Sequence, residues 1–144
     1  PRVRVPSSDL QLALPVLGWR WGTFVGLEGG DKLTRHSIES LEVFVELPVS
    51  WKVRRLTAHL HSEATLEPRG ETNGAGVLLG DKQGWTAVVA LTPDEMTRAV
   101  VAVTASPASQ VSLSITKPHY RHARILSFSI EVSSSQEFVR EPET

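Results

Sequence analysis

The sequence predicts an all-β domain: an antiparallel β-sandwich, jelly roll or β-barrel of about eight strands, with one short helix and extended terminal arms. Three observations carry that expectation. Runs such as Leu41-Glu42-Val43-Phe44-Val45-Glu46-Leu47 and Gln110-Val111-Ser112-Leu113-Ser114-Ile115-Thr116 alternate with period two. Side chains on a strand point alternately to opposite faces, so each run has one dry side and one wet side. Turn formers recur between these runs at short spacing, as in hairpin-linked sheets. One stretch alone, Thr92-Pro93-Asp94-Glu95, opens like a helix, which is too little helix for a parallel α/β fold.

The elements follow in order. Residues 1–10 form an arm, interrupted at Pro6-Ser7-Ser8. Leu10, Leu12 and Leu14 alternate with polar or small neighbours and mark a short strand that Pro15 closes. Gly18-Trp19-Arg20-Trp21-Gly22 is an extended segment with both tryptophans on one face. Residues 26–32 read as a turn or loop, and 34–40 as one helical turn. A strand spans 41–47 and stops at Pro48. The run from Trp51 to His61 changes phase, and a β-bulge near Arg54-Arg55 would reconcile its two halves. Residues 63–76 are polar and rich in turn formers. A hairpin joins Val77-Leu78-Leu79 to Trp85–Leu91 around Gly80-Asp81-Lys82-Gln83-Gly84. Thr92 can cap a helix with proline at its first position and Glu95 completing a capping box. That helix is brief, because Arg98–Val103 reads as strand again. Strands 110–116 and 124–132 are joined through Lys117-Pro118-His119-Tyr120-Arg121-His122. The organisation is therefore an N-terminal arm (1–10), a β domain (11–132) and a C-terminal arm (133–144).

At 144 residues the chain suits one domain with its own core. It has no cysteine, which excludes disulfides, thiolate metal sites and thiol nucleophiles. No stretch approaches the roughly 20 apolar residues of a membrane-spanning helix. Arg2 and Arg4 lead into polar residues rather than an apolar block, so no secretory signal is visible and the starting proline fits a native N-terminus after loss of methionine. Net charge is −1, which advertises no global field for nucleic acid. Asn73 is the sole asparagine, a scarcity that fits a thermophilic source.

The chemistry-bearing residues are few. His59 and His61 share a strand face, and His119 and His122 lie in a loop that can approach them; four imidazoles can bind zinc. The bland alternative is that His59 and His61 occupy the wet face opposite Leu56, Ala58 and Leu60. His-x-His on a strand plus a remote histidine resembles the metal motif of cupins. Val53 stands where that motif has glycine, and Glu63 and Glu67 both miss its glutamate spacing. Trp19 and Trp21 suit a core, a subunit contact or a sugar platform of a carbohydrate-binding module. No Gly-x-Ser-x-Gly elbow and no phosphate loop is present. The expectation is a protein that is not an enzyme and takes no cofactor, with no metal.

The arms differ in charge. Arg2 and Arg4 mark the first, and Glu137, Glu141 and Glu143 the second, with Val3, Val5, Phe138 and Val139 as apolar anchors. Either they are solvated termini, or they dock on a neighbouring copy. A sandwich over 41–132 flanked by such arms resembles, in plan, the small β-sandwich accessory proteins of tailed-phage virions: capsid decoration proteins and jelly-roll modules of tails and fibres. That resemblance implies a non-catalytic structural protein that stabilises a larger assembly. It implies a homotrimer bound to a major capsid or tail protein, located in the virion, with no membrane and no nucleic-acid partner. The alternatives are a carbohydrate-binding module and a cupin-like metal-binding protein, and a cytoplasmic location.

Overall fold

The computed structural model describes residues 10–28, 33–63, 75–105 and 109–132. Eight strands and one helix follow in the order β1 (Leu10–Pro15), β2 (Gly18–Glu28), β3 (Thr34–Glu46), β4 (Arg55–Glu63), β5 (Gly76–Gly80), β6 (Trp85–Ala90), α1 (Pro93–Ala105), β7 (Gln110–Ile115) and β8 (His122–Glu131). All eight strands belong to one sheet, in spatial order β1-β7-β8-β5-β6-β4-β3-β2. The sheet is curled into a half-barrel and is mixed rather than purely antiparallel. Its one parallel pair joins β4 to β6, with Leu56 opposite Trp85 and Leu60 opposite Val89.

The two ends of this sheet are adjacent in sequence. β1 and β2 lie at opposite edges, yet only Val16 and Leu17 separate them. The corner is held from both sides. Val16 N–H donates to the Ser109 carbonyl at 3.0 Å, and Leu17 N–H to the Phe44 carbonyl at 2.8 Å. One bent strand thus leaves β7 and joins β3, which forces the sheet to curl. Bends of this kind make the corners of barrels and orthogonal sheets.

Register explains the core. Val43, Ala58, Ala87, Leu78 and Ala123 lie opposite one another across five strands, and all are buried. Three alanines in that row leave room on the concave side. Helix α1 packs against β3, β4 and β8, burying Met96, Ala99 and Val103. At the lower end of the core Gly80 lies opposite Trp85, and a Cβ on Gly80 would sit 2.7 Å from that indole ring. The glycine lets the tryptophan lie flat and meet Trp51 edge-on, with centroids 5.3 Å apart.

Several sequence expectations are corrected. Residues 34–40 are strand, not a helical turn, because β2 pairs with them from Glu28↔Thr34 inward. No bulge is needed at Arg54-Arg55: β4 begins at Arg55, and Trp51 and Val53 belong to the preceding turn. Arg98–Val103 is helix, not strand, as α1 runs the full 13 residues to Ala105. Of the loop expected at 26–32, residues 26–28 are instead the end of β2, paired with 34–36 of β3, and 29–32 lie outside the described residues, as do 64–74 of the polar stretch 63–76 and the arm segments 1–9 and 133–144. No helix among the described residues is long and apolar enough to cross a membrane.

Candidate interaction surfaces

Trp19 and Trp21 stand on β2, opposite Val43 and Leu41 of β3. Directly opposed residues share a face, so both indoles point to the core side of the sheet. Val43 and Leu41 are fully buried, whereas Trp19 and Trp21 remain 45% and 46% exposed. The difference arises because β2 is the last strand, and among the described residues nothing pairs with its outer edge. Phe24, Val25 and Leu27 continue this exposed apolar strand. At 11 residues its open edge is about 36 Å long. Edge strands are ordinarily blunted by lysine, proline, a bulge or shortness. β2 has no lysine, proline or bulge, and the side chain of its one arginine, Arg20, is drawn to β3, where Nε donates to Glu42 Oε1 at 2.7 Å.

His59 and His61 lie on the convex face, opposite the buried Leu56, Ala58 and Leu60. Their rings are 6.2 Å apart, and His59 Nδ1 is 3.9 Å from the Glu42 carboxylate. His122 sits on β8, separated from β4 by β5 and β6, or about 14 Å of sheet. His119 pairs with His122 in the β7–β8 turn. The four histidines therefore form two separate pairs. Among the described residues no group of three or more histidines and carboxylates is placed to hold a metal ion. The other interaction candidates, Arg2, Val3, Arg4, Val5, Phe138 and Val139, lie outside the described residues.

A second surface was not legible in the sequence. His119 and His122 exchange backbone hydrogen bonds of 2.8 and 3.0 Å, closing a two-residue turn over Tyr120 and Arg121. Both central residues have left-handed backbone, with φ of 52° and 61°. Tight hairpins of this hand normally carry Asn-Gly or Gly-Gly, and each bulky residue there costs about 1–2 kcal/mol. Tyr120 is 90% exposed, with its ring centroid 4.2 Å from that of His119. Gly80 N–H donates to the Arg121 carbonyl at 2.9 Å, tying the tip to the neighbouring β5–β6 turn. Backbone cost of this kind persists where the surroundings over-determine it, and it concentrates at sites of recognition.

A shallow groove of about 360 Å³ runs between α1 and β8, lined by Leu91, Ala99, Phe128 and Ile130 with Glu95 and Arg98 beside them. No protein-family model, curated protein or solved structure matches this chain.

Proposed function

We propose that this chain is a structural assembly protein that joins copies of itself laterally through the open edge of β2. The observation that carries the reading is that edge: 11 residues with no lysine, proline or bulge and, among the described residues, no strand on its outer side, lined by half-exposed Trp19 and Trp21. Covering Trp19, Trp21, Phe24 and Leu27 is worth about 1–2 kcal/mol each. Together these reach the lower end of the roughly 4–15 kcal/mol that association costs, and strand pairing adds backbone hydrogen bonds. A homotrimer forms when the β2 edge of each copy meets the free edge of β1 on the next and the ring closes after three. Such a ring suits the cap of a larger shell, as on a phage capsid. Arms 1–10 and 133–144 docking on neighbours would strengthen it through high local concentration.

The test is mass in solution by light scattering across a concentration series. Wild-type protein is expected at about three times the 15.8 kDa chain. Val25→Lys places a charge on an already exposed edge position, and should give monomers with an unchanged unfolding midpoint. A wild-type protein that stays monomeric at high concentration would overturn the reading. So would a glycan that binds in solution and is lost with Trp19→Ala or Trp21→Ala, which assigns the tryptophans to a sugar.

A further inference from the structure

Three turns meet at one end of the sheet. β3, β5 and β7 run down into the turns at 47–54, 81–84 and 116–121, and β4, β6 and β8 rise from them. These turns make one continuous rim. Trp51 in the first meets Trp85, which closes the second, with ring centroids 5.3 Å apart. A Cβ on Gly84 would lie 3.1 Å from the Arg55 carbonyl oxygen, so the second turn packs on the start of β4. The Gly80 N–H to Arg121 carbonyl bond of 2.9 Å ties the third turn to the second. From β3 to β7 the rim crosses six strands, or about 24 Å. Lys52, Arg55, Lys82, Lys117 and Arg121 are all exposed along it. Over residues 46–55, 80–85 and 116–122, these five and Arg54 face two acids, Glu46 and Asp81. Both acids are engaged locally. Glu46 bridges Arg54 at 3.1 Å, and Asp81 accepts the Gln83 and Gly84 N–H groups at 2.7 and 3.0 Å. The net charge of −1 conceals this local excess of cations.

We infer that this rim binds single-stranded nucleic acid, its five exposed cations contacting phosphates and Tyr120 stacking on an unpaired base. Cations spread over about 24 Å suit a chain of repeating negative charge rather than one small anion. The aromatic group narrows the partner further. Tyr120 stands 90% exposed beside Arg121 and the His119 ring, so its own ring is scarcely buried in return for the left-handed backbone that carries it. A ring displayed among cations is what base stacking uses, and every base freed from a duplex offers it a π-face. None of the five exposed cations lies on β2, so the inference does not rest on lateral assembly.

The test titrates the full chain into a labelled, mixed-sequence DNA single strand of about 16 nucleotides and reads fluorescence anisotropy across a salt series. The logarithm of the affinity should fall with the logarithm of salt concentration, by about 0.7 for each phosphate neutralised. Lys82→Gln with Lys117→Gln removes two exposed cations and should flatten that slope by about 1.4. Tyr120→Asn should weaken binding by about fivefold to a hundredfold with the slope unchanged, and Tyr120→Phe should bind like wild type. Left-handed backbone accepts asparagine more readily than tyrosine, so the Asn variant stays folded, which urea denaturation checks. A duplex of the same sequence should bind more weakly than the single strand. Absence of binding at low salt would overturn the inference. So would equal affinity for the duplex and for inorganic polyphosphate with no effect of Tyr120→Asn, which assigns the rim to polyanions in general.

Discussion

At the scale of single residues, the Tyr120-Arg121 turn places stability and display in opposition. Both residues hold a backbone that glycine adopts freely and bulky residues adopt at a cost. Replacing them with Asn and Gly, the pair favoured in two-residue hairpin turns, should therefore raise the unfolding free energy by about 1–2 kcal/mol, read by urea denaturation. The same double substitution removes the exposed ring and the guanidinium from the tip of the turn. A variant no more stable than wild type would show that the turn costs nothing. Sequence reasoning had no access to this feature, because His-Tyr-Arg-His contains none of the residues that announce positive φ. Parity, by contrast, is a residue-level property that a sequence displays directly. His59 and His61 lie on the face opposite Leu56, Ala58 and Leu60 for that reason alone.

At the scale of elements, α1 shows local and tertiary preferences in competition. Val100, Val101 and Val103 are β-branched, and read alone they favour strand. The capping box at Thr92 favours helix: Thr92 N–H donates to Glu95 Oε1 at 2.9 Å, and Glu95 N–H to Thr92 Oγ1 at 3.3 Å. Helical spacing then brings Met96, Ala99 and Val103 onto one buried stripe. Valine costs a few tenths of a kcal/mol per helical position, whereas burying a Met or Val side chain returns about 1.5–3. Packing decides, and the window of apolar residues was too short to show it by period. Thr92→Ala should cost about 1 kcal/mol of stability, and Thr92→Ser should restore most of it; equal loss in both would mean that the hydroxyl cap contributes nothing. β8 gives a second case. Its register slips between Ser114↔Ser127 and Ile115↔Ile125, leaving Leu126 outward while Ile125 stays in the core. The unbroken apolar pair Ile125-Leu126 shows that the phase changes, but the partner strand fixes where.

At the scale of the whole molecule, the strand content follows from short-range pattern and the topology does not. Nothing local in Leu56–His61 or Trp85–Ala90 distinguishes the parallel pair they form from a hairpin, because the choice rests on β5, which lies between them in sequence and pairs with the other side of β6. Nor does alternation distinguish two facing sheets from one sheet curled on itself, since each strand is dry on one side in either design. The curl comes from the two-residue corner at Val16-Leu17, which binds the sheet's two edges to each other. It also leaves an asymmetry that can be measured. β4 reaches only to the Ile38↔Glu63 pair, so among the described residues 34–37 of β3 pair with β2 alone, while 41–46 are paired on both sides. Amides that open by local unfolding exchange faster than those released only by global unfolding. In the Val25→Lys monomer, backbone amides of 22–28 and 34–37 should exchange at least tenfold faster than those of 41–46. In the wild-type protein at assembling concentrations, the outward amides of β2 should gain protection, while those of the β4–β6 pair stay unchanged. Uniform protection along the β2–β3 hairpin in the monomer would mean that the open edge is not a weak point of the fold, and the case that a neighbouring strand must cover it would fail.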